Sequence, residues 1–301
     1  MAHKTHNFTD RQKMSRNTFE IYHYRDEIMK EVPLHHHDFY EIYFFISGNV
    51  SYNIESRSYR LSPGDVLLIN PQELHQPIFS PEKQHYERYV MWISPGILQQ
   101  FTLPGQDLSR CFDASLPSHT NLVRPDGVSR ELLTYLFQQL IREQDSGEFA
   151  SELNCLSLLT QLLVLVNRTA LRAGRAPEPR ENADSLVYRI LGYITDHYHE
   201  DLSLDFLANE FFISKYHLSR EFSRVVGTSV HRYIIQKRLV MAKQMMTEGI
   251  SSSEVYQHCG FGDYSNFYRA FKSEYEISPK EFTARLKEIP NRLDDFSRRL
   301  R

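Results

Sequence analysis

Two stretches decide how this chain is read: SSSEVYQHCGFGDYSNFYRAFKSEYEISPKEF, Ser251 to Phe282, and LSLDFLANEFFISKYHLSREFSRVVGTSV, Leu202 to Val230. Each spells a short helix, a tight turn and a second helix. The later one turns at Gly260-Phe261-Gly262 and stops at Ser278-Pro279. One helix-turn-helix pattern is a weak signal, whereas two in tandem point to a protein that reads adjacent major-groove faces of DNA.

In the earlier unit Ser203 is placed to cap LDFLANE, whose Leu204, Leu207 and Ala208 face inward, and Ser214 to cap KYHLSREFSRVV. Leu218, Phe222 and Val225 fall at helical spacing and are expected to be buried. That leaves Lys215, Tyr216, Ser219, Arg220, Ser223 and Arg224 on the open side. A recognition helix needs such a face, with Arg and hydroxyl groups for phosphates and base edges and an aromatic against sugar or thymine methyl. The later unit repeats the design. Asp263 caps, Phe267 and Phe271 take the core positions, Arg269 takes the place of Arg220, and Tyr264, Ser265, Asn266 and Tyr268 lie open. VHRYIIQKRLVMAKQMM joins the units as one long helix, fixing their separation to suit groove faces ~34 Å apart.

The phrases YHLSREF, GTSVHRYIIQKRL and GFGDYSNFYRAFK followed by SPKEF resemble the AraC/XylS family of bacterial transcription regulators, over roughly 187–285. The resemblance implies that Tyr216, Ser219 and Arg220 contact DNA in the first unit, and Tyr264, Ser265, Tyr268 and Arg269 in the second. Two departures concern packing. Glu276 stands where the family usually has Gly, so the turn before Ser278-Pro279 is expected to differ, and Tyr256-Gln257-His258 replaces a more Ala-rich helix end.

Net charge gives the DNA reading little help. The chain of 301 residues carries a formal −3; up to residue 182 it has 18 Lys+Arg against 22 Asp+Glu, and beyond it 17 against 16. Strong non-specific DNA binders are far more basic, so positive charge here must be placed locally. The three cysteines, Cys111, Cys155 and Cys259, are widely spaced and form neither a disulfide framework nor a Cys-x-x-Cys zinc site. The polar start MAHKTHNFTDRQKMSRN lacks the apolar core of a signal peptide, and no apolar run reads as long enough to span a bilayer. Cytoplasmic residence and no membrane partner are therefore expected.

Upstream, from about 18 to 112, short runs rich in Tyr, Phe, Ile and Val alternate with turn signals such as Ser-Gly-Asn at 47–49 and Ser-Pro-Gly-Asp at 62–65, a sandwich or barrel pattern. From about 126 to 171 the period becomes helical. Leu132, Leu133, Leu136, Phe137, Leu140 and Ile141, then Leu153, Leu156, Leu159, Leu162, Leu163 and Val166, mark a helix pair. RAGRAPEPRENA, with two prolines and no apolar period, reads as a linker.

One segment of the β region carries chemistry. In HHHDFYEIYFFISG, His35, His37, Phe39, Glu41, Tyr43 and Phe45 would share one face of an extended strand. LSPGDVLLINPQELHQP then brings His75 after a turn and a strand. The pair resembles the two cupin motifs, which implies His35, His37, Glu41 and His75 as metal ligands; His75 sits further past the glycine than the motif has it. Three readings stay open: a divalent metal on these four residues, a metal-free pocket binding a small polar ligand such as a sugar, or a purely structural lining. Tyr43, Tyr52, Arg88 and Trp92 suit a sugar, offering ring faces and a hydroxyl-binding guanidinium.

The expectation is an α+β two-domain chain: an N-terminal cupin-like β-barrel with a helix pair, and a C-terminal all-α tandem helix-turn-helix domain. Residues 1–172 form the effector-binding and dimerisation domain, 173–183 a linker, 184–288 the DNA-binding domain and 289–301 a tail. The expected function is a sequence-specific DNA-binding transcription regulator, an activator responding to a small polar effector, with no catalytic residues. Expected partners are double-stranded promoter DNA, a sugar-like effector, RNA polymerase and a second copy of the chain. The alternative is a metal-dependent cupin enzyme, a dioxygenase or isomerase, with a helical appendage.

Overall fold

The structure is a computed structural model that describes residues 12–27, 31–80, 85–116, 119–173 and 185–288. Apart from Ala173, the expected linker lies outside the described residues, as does the tail. Contacts divide the chain into two compact units, Met1–Glu181 and Asn182–Arg301.

In the first unit the strands are β1 (Phe19–Asp26), β2 (Tyr40–Ser47), β3 (Val50–Ile54), β4 (Arg57–Arg60), β5 (Val66–Ile69), β6 (His75–Phe79), β7 (Tyr86–Ile93) and β8 (Leu122–Val123). The helices are α1 (Pro95–Gln100), α2 (Gly127–Glu143) and α3 (Ser151–Ala173). Among the described residues the strands pair as two antiparallel sheets, in the orders β1-β7-β2-β5-β8 and β4-β3-β6, rather than as one closed barrel.

Side-chain alternation sorts the larger sheet into two faces. Ile42 and Phe44 of β2 join Met91 and Ile93 of β7 against Leu133, Phe137 and Leu140 of α2 and Leu159, Leu162 and Leu163 of α3. Phe44 and Phe137 stack with ring centroids 5.2 Å apart. The intervening residues Tyr43 and Phe45 turn the other way, toward Tyr52 and Ile54 of β3 and Tyr59 of β4. The helix pair thus roofs one face while the second sheet covers the other, and β2 runs between β5 and β7 in the middle of the larger sheet.

Two sequence readings are corrected here. Leu132 and Leu153, counted in the apolar stripes, are exposed; the buried stripe of α2 is Leu133, Leu136, Phe137 and Leu140. The apolar run also reaches bilayer length: Ser151–Arg172 is long and apolar enough to cross a membrane by length and composition. Its Leu158, Leu159, Leu162, Leu163, Val166 and Ala170 instead pack in the core shared with α2 and the sheet.

The second unit is helical: α4 (Leu186–His197), α5 (Leu204–Glu210), α6 (Lys215–Val226), α7 (Val230–Thr247), α8 (Val255–His258), α9 (Tyr264–Tyr275) and α10 (Pro279–Glu288). The caps are those the sequence called for. Ser203 accepts from Phe206 N, Ser214 from His217 N and Asp263 from Asn266 N, and Ser229 starts α7 the same way. Ser278 and Glu281 exchange reciprocal bonds at the start of α10, Glu281 Oε2 accepting from Ser278 N and Ser278 Oγ from Glu281 N. In α6 the buried residues are Leu218, Phe222 and Val226, so Val226 and not Val225 completes the stripe. In α9 they are Phe267 and Phe271.

The long helix α7 connects the two helix-turn-helix units. Arg238 on α7 donates to the carbonyls of Tyr198 and Glu200 past the end of α4, and its guanidinium lies over Phe261 in the second turn. Gly260 tightens the same junction. It has φ +75°, and a Cβ there would meet the His199 carbonyl oxygen at 2.6 Å. Only glycine fits both the left-handed backbone and the close approach.

Candidate functional site

Helices α6 and α9 present matching faces. On α6, Lys215, Tyr216, Ser219, Arg220, Ser223 and Arg224 are all exposed; on α9, Tyr264, Ser265, Asn266 and Arg269 are exposed and Tyr268 is half-buried. Each face stands opposite the buried pair that anchors its helix, Leu218 with Phe222 or Phe267 with Phe271. Burial, not propensity, therefore decides which way the arginines point.

The charges on these faces are held locally. Glu221 accepts from Arg224 at 2.8 Å and lies 3.3 Å from Arg220, and the Arg224 hydrogen bond holds its carboxyl below the usual carboxylate range. Lys215 pairs with Asp205 at 2.7 Å. On α9, Arg269 donates to Asn266 Oδ1, and Asn266 in turn donates to Asp263. Exposed pairs of this kind are weak because water and salt screen them, so phosphate can displace the carboxylates at little cost. The sequence reading passed over Phe212, in the turn before α6. It is 94% exposed at φ 55°, a left-handed conformation that a bulky side chain rarely adopts. Its signal was a second phenylalanine after Phe211 where the pattern calls for a polar turn residue.

In the first unit the polar groups on the inner face come together. His37, Glu41 and His75 are buried, and their ligand atoms all lie within 4.8 Å of one another. His37 Nε2 is 3.4 Å from Glu41 Oε2. Trp92, register partner of Glu41 across β2 and β7, donates its indole N–H to Glu41 Oε2 at 3.0 Å. His35 is bridged to His75 through the backbone, with ring centroids 4.3 Å apart, but it stands outside the group of three. The structure thus gathers three of the four anticipated ligands.

Sequence alternation from His35 through Phe45 holds only in part, because β2 begins at Tyr40. His35 and His37 lie in the approach to the strand, His35 in an isolated bridge to His75 and His37 in the group of three. Burial drives the His75 imidazole well below its ordinary pKa and brings His35 down to about 4, so both are neutral at pH 7.

The other anticipated ligand contacts divide. Tyr43 faces the interior with its ring 5.2 Å from Tyr52, which lies over His75 at 6.2 Å. The Tyr43 hydroxyl is buried with no hydrogen-bond partner. Arg88 is already engaged: it pairs with Asp26, and its guanidinium lies over the rings of Tyr24 and Tyr86. Trp92 serves the Glu41 carboxylate and packs against Phe39 and Tyr22.

Family models match both units. The model of the AraC-like ligand binding domain matches residues 19–163, and that of a helix-turn-helix domain matches 207–285. The chain is 26% identical over 250 residues to the HTH-type transcriptional activator RhaS of Citrobacter koseri, covering 83% of this chain and 86% of that protein. It is 27% identical over 254 residues to RhaS of Enterobacter sp. (strain 638), with the same coverage. Among solved structures, the DNA-binding domain of AdpA in complex with a target DNA matches at 22% identity, 35% of this chain, 96% of that chain and TM-score 0.34. Fatty-acid-bound ToxT from Vibrio cholerae matches at 13% identity, 90% of this chain, 97% of that chain and TM-score 0.37.

A β-rich ligand-binding unit followed by two capped helix-turn-helix units defines a DNA-binding transcription regulator. The relatives are transcription regulators, and the metal-dependent enzyme alternative finds no support among them. The chain belongs to the AraC/XylS family.

Proposed function

We propose that this regulator activates transcription from promoters to which it binds as a homodimer in the cytoplasm, under control of a small polar ligand held in its first unit. The observation that carries the DNA part is the repeated constellation on α6 and α9, with cap, buried pair, exposed arginine and left-handed stop in the same positions. Lys215, Tyr216, Ser219, Arg220, Ser223 and Arg224 form one contact face and Tyr264, Ser265, Asn266, Tyr268 and Arg269 the other. Activation, and contact with RNA polymerase that would deliver it, draws support from the activator names of the RhaS relatives.

Control by a ligand requires that the ligand bind the DNA-competent state more tightly than the other. The coupling is reciprocal, so operator DNA must raise affinity for the ligand by the same factor. Tyr43, Tyr52 and the buried histidines supply the interior polar surface for it, and a sugar hydroxyl is one group the unpartnered Tyr43 oxygen could bind. The exposed Val128, Leu132, Tyr135 and Leu153 of the helix pair offer an apolar face for a second copy. A gel shift on the chain's own upstream region, with a reporter read in parallel, tests the proposal. Specific retardation with raised transcription supports activation, and retardation with lowered transcription reverses the sign of regulation.

A further inference from the structure

We infer that Phe212, in the turn between α5 and α6, is a DNA-contact residue that sets its ring against an apolar patch of the operator duplex, a thymine methyl or a deoxyribose. The inference deepens the DNA reading and rests on the assignment of α6 as the helix that enters the groove.

The turn has a counterpart in the same chain. Phe212 N donates to Asn209 O at 3.2 Å and Ile213 N to Ala208 O at 2.9 Å; between α8 and α9, Gly260 N donates to Gln257 O at 3.2 Å and Phe261 N to Tyr256 O at 3.0 Å. Phe212 therefore holds the place of Gly260, and both are left-handed, at φ 55° and 75°. Glycine takes that conformation freely and is common in such turns. A bulky side chain takes it only under strain. Packing does not offset the strain here, since Phe212 is 94% exposed. Backbone strain of this kind clusters at functional sites.

The position of the ring favours DNA as its occupant. Phe212 stands two residues before Ser214, which caps α6. In this motif that end of the recognition helix meets base edges. Tyr216, in the first turn of α6, is 76% exposed, so an exposed aromatic residue stands on either side of the cap. Phenylalanine can read a base pair by contact with the thymine methyl. A protein partner would call for a wider apolar surface, because hot-spot aromatics are ringed by contacts that exclude water. The exposed chain neighbours of Phe212 are instead polar, among them Asn209, Glu210, Ser214 and Lys215. The exposed Phe206 of α5 lies toward Tyr193, with ring centroids 6.2 Å apart.

The test uses the full chain and a duplex that the wild type selects from a random pool, with affinity read by fluorescence anisotropy at fixed salt. Phe212→Asn removes the ring and leaves a residue that tolerates the left-handed turn. It should weaken binding by roughly tenfold or more, the effect of losing one buried aromatic side chain. Phe212→Tyr should bind as the wild type does. Urea unfolding of Phe212→Asn should give the wild-type midpoint or a higher one. Replacing thymine by uracil in the duplex separates the two apolar sources. For a methyl contact the wild type loses more affinity than Phe212→Asn, and for a deoxyribose contact both respond alike. Wild-type affinity in Phe212→Asn would overturn the inference, and loss of activation at that unchanged affinity would move the ring to a protein partner. A lowered urea midpoint would make Phe212 a residue of the fold and overturn it too. Arg220→Ala in the same assay keeps the two readings apart. Loss with Arg220→Ala and none with Phe212→Asn strikes this inference alone, whereas no loss with either strikes the placement of α6 itself.

Discussion

Gly227 and Glu276 end α6 and α9 in almost the same left-handed conformation, φ 73° and ψ 3° for Gly227, φ 63° and ψ 0° for Glu276. Each donates its backbone N–H back into the last turn, Gly227 to Ser223 and Glu276 to Lys272. The expectation that Glu276 would alter this turn is therefore corrected: the backbone keeps the stop, and glutamate bears the strain of adopting it. Its Cβ crowds the backbone at positive φ, at a cost of about 1–2 kcal/mol that glycine avoids.

Glu276→Gly should accordingly stabilise the second unit by about 0.5–1 kcal/mol, the left-handed gain being partly offset by the freer unfolded chain. Urea unfolding of the variant should show a higher midpoint with unchanged slope. A lower midpoint would mean that the glutamate side chain contributes more than its backbone costs.

Gly260→Ala should do the opposite. Its Cβ would press on the His199 carbonyl at 2.6 Å and would sit at φ +75°. A loss well above about 1 kcal/mol is expected, since left-handed positions reject alanine even without a clash. Because the contact joins the end of α4 to the second helix-turn-helix, operator affinity should fall as well. Thermal unfolding and gel shift on the same preparation check both.

Tyr43→Phe removes a buried hydroxyl that has no hydrogen-bond partner. In ligand-free protein the change should be neutral or stabilising by up to ~1 kcal/mol, against the destabilisation usual for a core substitution. If a polar effector uses this hydroxyl, the same variant should show a smaller thermal shift with that effector present.

The second unit was largely legible in the sequence because its signals are local. Ser203, Ser214 and Asp263 announce helix starts by cap chemistry, and Phe267 with Phe271 announce a buried stripe by helical spacing. The miss at Val225 is one of phase: both Val225 and Val226 fit a helical period, and only the packing partner decides between them. The first unit was less legible because its contacts are distant in sequence. Trp92 meets Glu41 only through the pairing of β2 with β7, and Arg88 meets Asp26 only through the pairing of β1 with β7, neither of which spacing reveals. The histidines were noticed by pattern, but that His35 drops out of the cluster depends on where β2 begins.

We propose that α6 and α9 both read DNA. It is tested most directly by equilibrium gel shift of the full chain on its own upstream region, comparing Arg220→Ala, Arg269→Ala and wild type at fixed salt. Each substitution should weaken specific binding by about 1–3 kcal/mol if the arginine contacts a base. Both residues are exposed and outside the cores, so circular dichroism should be unchanged. Wild-type affinity in both variants would contradict the assignment of the recognition faces.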